Sequence, residues 1–509
     1  MVKRRSLLRL GTGAAAAGLL GSGAAYAVGR TGGETTAWDR LRRALAGQLV
    51  LPGDAGFEQA KQLEVAQFDT IRPRAVAYCT SAKDVALCLK FAQDEALPTA
   101  VRSGGHSYGG YSSSHDGLVI DVSRIKSVRL SGDRVSLGPG AQAIDAMTAL
   151  APYGAQIVTG LCPTVCPGGY LLGGGVGLQT RKFGMGSDRL VSAEVVLADG
   201  RTVRASAESE PELFWALRGG GGGNFGVVTA FEVVRTSVPT MINFSLEWRW
   251  DDFLPLVVAW QDWVLHEDGD LACSLGVMVD DAQPGAVPQV IVTGSFLGRA
   301  ERLDKALGAL VAAAGRPPKS KSVSGELPYV QAMMQNFGCG GYTDQECHRI
   351  GQSPEARIPR ETFVLDRNHL FSRPLSHSAA SAAATAHLAD RRAGQVRYLN
   401  IMALGGQANV PARTDTAYVH RDTQFFVGYS IGLAGDQASD EDRQAAAAWV
   451  AQGLATIASY SNGESYQNFI DPALANWKQA YYAENYPRLQ AVKRRYDPHH
   501  FFRFAQGIC

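Results

Sequence analysis

The chain has 509 residues, 46% hydrophobic and 19% charged; this is the balance of a soluble globular protein and more length than one hydrophobic core serves, so two domains are expected. Its 49 Lys and Arg nearly cancel its 48 Asp and Glu, which leaves no field to attract nucleic acid or an anionic membrane and points to a small neutral ligand. The 57 glycines follow no Gly-X-Y period, so they belong to local loops rather than to a fibre.

In chain order, Lys3-Arg4-Arg5-Ser6-Leu7-Leu8-Arg9 precedes a Gly/Ala/Leu stretch ending in Ala25-Tyr26-Ala27. This is the pattern of a twin-arginine signal over residues 1–27. It predicts handling by the twin-arginine export machinery and a secreted or extracytoplasmic location. The apolar run is short and glycine-rich for a bilayer core of roughly 30 Å, so no membrane span is expected after cleavage. Ser81 and Asp84 cap a helix running to about Glu95, and Pro98 precedes a strand from Thr99 to Arg102. That strand opens into Ser103-Gly104-Gly105-His106-Ser107-Tyr108-Gly109-Gly110, a loop whose glycines let backbone amides approach something flat or phosphorylated.

Gly117 to Ser123 and Ser127 to Leu137 read as short strands, Ala141 to Ala151 as a helix, and a second glycine-rich stretch covers Gly168 to Gly177. Val191 to Ala198 and Arg201 to Ala205 form a hairpin about Asp199-Gly200. Five glycines after Arg218 lead through Asn224-Phe225-Gly226 into the strand Val227 to Val234. From Thr236 the texture changes. Trp248, Trp250, Trp260 and Trp263 cluster and are read as core, while Val290 to Phe296 and Val396 to Leu404 read as strands. Helices are expected over the stripe Leu303, Leu307, Leu310 and Val311, over Glu441 to Ser459, and over Glu484 to Tyr496. Cys339 and Cys347 flank a polar loop that a disulfide can close, whereas Cys79 and Cys88 read as buried thiols.

No Gly-x-Gly-x-x-Gly stands at a strand-to-helix turn with an acidic residue about 20 positions on, and Walker, His-Glu-x-x-His and paired Cys-x-x-Cys patterns are absent from the sequence. No metal is expected. Three glycine loops remain, one with His106 and one with Cys162 and Cys166.

Five ordered motifs resemble one family: Arg102-Ser103-Gly104-Gly105-His106-Ser107, Gly160-Leu161-Cys162-Pro163-Thr164-Val165, Gly173-Gly174-Gly175-Val176-Gly177, Gly223-Asn224-Phe225-Gly226-Val227-Val228 and Tyr481-Tyr482-Ala483-Glu484-Asn485-Tyr486-Pro487. They look like FAD-linked oxidases of the vanillyl-alcohol oxidase / p-cresol methylhydroxylase superfamily, berberine bridge enzyme-like branch, over nearly the whole chain from about Leu49. The resemblance implies an α+β, two-domain FAD-binding fold with an inserted substrate domain, an antiparallel sheet covered by helices. The boundaries expected are 45–235 for the first part of the FAD domain, 236–475 for the insert and 476–509 for the segment that returns.

The resemblance further implies covalent FAD, held at its 8α position by His106 and at C6 by Cys162. A neutral imidazole and a thiolate are the nucleophiles such bonds need. Cys166, where relatives often carry glycine, competes for the flavin, pairs with Cys162 or fills a small buried space. Arg102, Ser103, Gly104, Gly105, Ser107, Gly169, Tyr170, Gly173, Gly174, Gly177, Gly226, Val228 and Asn485 complete the expected cofactor site. Tyr466 matches the family's tyrosine base; a free phenol titrates near about 10, so the role needs a neighbour that favours the anion. Gln407 and Asn409, where some relatives carry an acid, are expected to bind substrate hydroxyls, and His420-Arg421 to be structural. The function implied is oxidation of an alcohol or hemiacetal carbon of a small molecule or oligosaccharide, with O2 reduced to H2O2. A secondary-metabolite tailoring enzyme is the alternative of the same fold, and an inactive secreted carbohydrate-binding protein that of another class.

Overall fold

The computed structural model describes residues 36–434 and 438–509, so the expected signal at 1–27 lies outside the described residues. Among the described residues no helix is long and apolar enough to cross a membrane. Three sheets organise the described residues. The first has strands in the order Gln48–Val50, Ala75–Tyr78, Leu118–Asp121, Thr99–Arg102, the last three parallel. Parallel pairing needs a crossover, and the helix Ala82–Asp94 supplies it. Ser81 caps that helix by accepting the Asp84 N–H, and Val85, Cys88, Leu89 and Ala92 face the sheet core. Cys79 and Cys88 are buried and not bridged, with Sγ atoms 3.9 Å apart.

The second sheet is antiparallel throughout, in the order Val128–Ser131, Arg134–Leu137, Val227–Val234, Leu190–Val196, Thr202–Ser206. Its core takes in Tyr481, Tyr482, Leu489, Val492 and Ile508, so the end of the chain packs on the N-terminal half. The helix Tyr486–Tyr496 is fixed there by Lys493, fully buried, whose Nζ donates to Asp497 and to the carbonyls of Asn224 and Phe502.

Residues 240–433 build the third sheet, with seven strands in the order Ser320–Val323, Thr240–Trp248, Gln289–Phe296, Leu271–Val279, Gln395–Ala403, Phe425–Leu433, Val364–Phe371 and the short Leu327–Pro328 beside the second of them. One face is covered by the helices Phe253–His266, Ala300–Ala314, His377–Leu388 and Asp440–Ala458, and Trp248, Trp260 and Trp263 are core there, as expected. Strand alternation sends Leu370, Met402 and Phe426 to the opposite face, against Met185, Tyr418 and Tyr466. The site lies on that face, between the large sheet and the glycine loops. Cys339 and Cys347 form a disulfide.

Candidate active site

The sharp turn after the strand Thr99–Arg102 presents His106, which is half-buried. Gly104 lies so close to the second loop that a Cβ there would sit 3.0 Å from the Thr164 carbonyl oxygen and 3.2 Å from Cys166 Sγ. This approach brings His106 Nε2 to 2.9 Å from Thr164 Oγ1, two residues beyond Cys162. Burial pulls the His106 imidazole below its ordinary pKa; nearby Glu64 opposes and Arg349 reinforces the drop. The ring is therefore neutral near pH 7, the form with a nucleophilic nitrogen.

The two cysteines of the loop differ. Cys162 is partly exposed at a bend, whereas Cys166 is 3% exposed and its thiol donates weakly to the carbonyls of Gly140 and Thr164. Burial also pushes the Cys166 thiol well above its usual range. Of the three roles open to it, filling a small buried space is the one its packing matches, and no bridge to Cys162 is formed.

Tyr466 is 3% exposed, its ring edge-on to Tyr418 and Phe469. Its backbone N–H donates to Asn368 Oδ1 on the large sheet, 2.9 Å away. Three donors converge on its phenol oxygen: the N–H of Gly175 at 2.9 Å, the N–H of Val176 at 3.1 Å and Asn468 Nδ2 at 2.9 Å. The second Asn468 amide hydrogen goes to the Tyr170 carbonyl. Gly175 can aim its N–H this way because its φ is +88°, and a Cβ would meet the Tyr170 ring at 2.7 Å. A phenolate accepts three such bonds, whereas a neutral phenol must also find room for its own hydrogen. Burial, the larger effect, nonetheless pushes the phenol up to about 12, with the three hydrogen bonds pulling it back.

Several expected cofactor residues are engaged by other parts of the protein. Arg102 is buried, its guanidinium committed to Asp121 and to the carbonyl of Ala60; a buried cation must be neutralised there rather than reach a ligand. Asn485 spends its amide on the carbonyls of Arg413 and Thr416, and the Val228 side chain is in the core of the second sheet. Gly226 packs against Val195, and the Gly177 N–H caps the Thr180 turn. Ser103, Gly105, Ser107, Gly169, Tyr170, Gly173 and Gly174 remain in the two loops around His106 and Tyr466, where Ser107 Oγ accepts from the Tyr111 N–H. Gln407 and Asn409 lie on a single 3-10 turn, Gly406–Asn409; Gln407 is exposed and Asn409 donates to the Thr423 carbonyl. His420 and Arg421 are structural: His420 pairs with Glu464 and Gln467, and Arg421 grips the Asp188 carboxylate.

The flavin expected from the sequence fits what is open here. Gly169 is exposed with nothing within 4 Å of where a Cβ would stand, and the Tyr170 hydroxyl is shut away from solvent without a hydrogen-bond partner. A wall of glycine backbone and an unsatisfied buried hydroxyl suit a flat polar ring system.

Residues 73–206 match the FAD binding domain family and residues 465–509 the family described as berberine and berberine like. An uncharacterized FAD-linked oxidoreductase, YgaK of Bacillus subtilis (strain 168), is 31% identical over 473 residues, covering 91% of this chain and 97% of its own. The (R)-6-hydroxynicotine oxidase of Paenarthrobacter nicotinovorans is 29% identical, over 91% of this chain and 97% of its own. Among solved structures, the glucooligosaccharide oxidase of Acremonium strictum, described with a 6-S-cysteinyl, 8α-N1-histidyl FAD, superposes with a TM-score of 0.81 at 24% identity, over 92% of this chain and 98% of its own. With the glycine loops, the returning C-terminal segment and a relative of this extent, the chain belongs to the berberine bridge enzyme-like FAD-linked oxidoreductases of the vanillyl-alcohol oxidase / p-cresol methylhydroxylase superfamily.

Proposed function

We propose that the protein is an exported oxidase that removes two electrons and two protons from a CH–OH group, of an alcohol or a hemiacetal, and passes the electrons to O2 to give H2O2. The observation that carries this reading is the convergence of three N–H donors on the phenol oxygen of Tyr466. A phenol supported in this way is a base: the donors stabilise the anion that must exist before Tyr466 takes the substrate hydroxyl proton. The hydride acceptor is FAD, the chemistry that the cofactor supplies when bound. His106 and Cys162 hold it covalently at two points, a reading supported by the neutral His106 ring, the accessible Cys162 and the doubly linked FAD named for the glucooligosaccharide oxidase. Tyr466 is 3% exposed and packed against Leu370 and Phe426 of the inserted sheet, so little bulk water reaches it.

An oligosaccharide is the substrate proposed, in keeping with export through the twin-arginine route and with the structural relative that acts on one. The nicotine-oxidising relative favours the second reading, a small secondary metabolite on the same scaffold. A peroxide-coupled screen of oligosaccharides and small heterocyclic alcohols separates them. Export is tested by the N-terminal mass of the extracytoplasmic protein, expected to begin after Ala27. Attachment is tested by acid precipitation: the yellow colour stays in the pellet, and one cross-linked peptide pair carries His106 and Cys162. Free flavin in the supernatant overturns the attachment, and a colourless protein overturns the enzyme.

A further inference from the structure

The segment that follows the Cys339–Cys347 disulfide, from His348 to Glu361, belongs to the inserted half, yet it docks beside His106. His348 Nε2 lies 3.0 Å from Asp145 Oδ1, Arg360 donates to the Leu63 carbonyl and to the Asp69 carboxylate, and the Glu361 carbonyl accepts the Ala66 N–H. These contacts bring Arg349, 13% exposed, to Glu64, likewise 13% exposed; Arg349 Nη1 stands 3.7 Å from Glu64 Oε2. The same carboxylate oxygen is 3.8 Å from His106 Nε2. The Glu64 N–H donates to the Gly105 carbonyl at 3.1 Å, which fixes the carboxylate's chain to the histidine loop itself. Arg349 Nε and Nη1 are buried and make no hydrogen bond, so this guanidinium is held there as a charge. A bridge of one cation, one carboxylate and one imidazole thus joins the two halves at the residue assigned to the cofactor.

We infer that Glu64, held by Arg349, is the positioning residue that prepares His106 for covalent attachment. This inference rests on the proposed His106 linkage. Thr164 is hydrogen-bonded to Nε2 and the Glu64 carboxylate faces the same atom from 3.8 Å, which leaves Nδ1 as the ring atom for the new bond. In the attachment, a bond forms between His106 Nδ1 and the 8α carbon of the flavin, and a C–H of that methyl group breaks. One proton leaves the methyl carbon and one leaves His106 Nε2, the latter to Glu64. The two electrons released pass to O2, which takes up two protons and departs as H2O2. Without the carboxylate, the proton on Nε2 has only the neutral Thr164 hydroxyl to go to, and the ring loses the charge that favours the imidazolium formed as the bond closes. Arg349 keeps the carboxylate in place without taking the proton itself, since a guanidinium is always charged.

The test compares the full-length wild type with Glu64→Gln, Glu64→Asp and Arg349→Met. It reads the share of flavin that stays with acid-precipitated protein, the mass of the His106 peptide, total bound FAD and melting temperature. In Glu64→Gln the His106-linked share is expected to fall at least about tenfold, since removing a positioned base slows a step by roughly a hundredfold or more. Bound FAD and melting temperature stay near wild type, Glu64→Asp recovers much of the adduct, and Arg349→Met falls in the same direction as Glu64→Gln. An undiminished His106 adduct in Glu64→Gln overturns the inference. If Glu64→Gln does not fold, an undiminished adduct in Arg349→Met, which frees the carboxylate, overturns it equally. A wild type without flavin on His106 overturns the linkage instead, so the two failures are told apart.

Discussion

At the scale of single residues, the phenol of Tyr466 is the centre of two opposed effects, burial holding its proton and three donors loosening it. The donors have the smaller effect, so the base proposed at Tyr466 is formed only toward alkaline pH, and kcat/KM on the substrate found in the peroxide screen is expected to rise with pH through the neutral range. Tyr466→Phe is expected to lower kcat by about 10²–10⁴-fold, the usual worth of a positioned base. Asn468→Ala removes one donor to the anion, a loss of about 1.5–3 kcal/mol, which moves the alkaline limb upward by about one to two pH units. A pH profile that does not move in Asn468→Ala removes that residue from the base. Asn468 stands two positions from Tyr466 in the sequence, and nothing in the sequence marked it. The glycine-rich loops that carry His106 and Cys162 were legible because their residues form local motifs. Asn368 and Glu64 were not, since each meets its partner through folds of the chain that carry no local pattern.

At the scale of elements, the C-terminal helix Tyr486–Tyr496 ties the five-glycine loop to the rest of the FAD-binding half. Lys493 Nζ donates to the Asn224 carbonyl, while the Asn224 side chain donates to the Gly220 carbonyl and accepts the Ile508 N–H. Lys493 and Asp497 are both buried, and the charge of one is balanced by the other. Lys493→Met strands the Asp497 carboxylate and is expected to cost about 3–5 kcal/mol. Melting temperature measures the loss, and any non-covalently held FAD is released at lower temperature than in wild type. A variant that melts like wild type contradicts this account of the loop. The helix was legible from its amphipathic stripe and the strands from their alternation. The helix His377–Leu388 was not: its buried face is made of the small residues Ala379, Ala380, Ala383 and Ala384, opposite Ser378, Ser381 and Thr385, so no stripe of large apolar residues betrays it. The 3-10 turn at Gly406–Asn409 was hidden for another reason. It is set by the positive φ of Gly405 and Gly406 and by their packing on Gln424 and Arg181, contacts between distant parts of the chain.

Across the whole molecule, both halves are built around tyrosines whose hydroxyls are shut in. Burial pushes the phenols of Tyr329 and Tyr466 up to about 12, and those of Tyr170, Tyr418, Tyr429, Tyr481 and Tyr482 upward as well. In the unfolded chain each titrates near about 10. Below pH 10 these phenols are protonated in both states and contribute no pH dependence, so their share of stability is fully present. Above pH 10 the unfolded chain ionises freely while the folded protein must keep its protons, so stability falls as pH rises toward and through 12. Lys493, whose pKa burial lowers, works in the opposite sense, but it is one group against several. The denaturant midpoint is therefore expected to hold steady up to about pH 9 and then to drop with increasing slope as the unfolded phenols begin to ionise. The tyrosinate absorbance of the buried set other than Tyr466, whose anion three donors support, should appear with unfolding and not before it. If these phenols instead ionise near pH 10 in protein that keeps its secondary structure, they are reached by water, and the closed packing between the large sheet and the glycine loops, on which the role proposed for Tyr466 depends, is wrong.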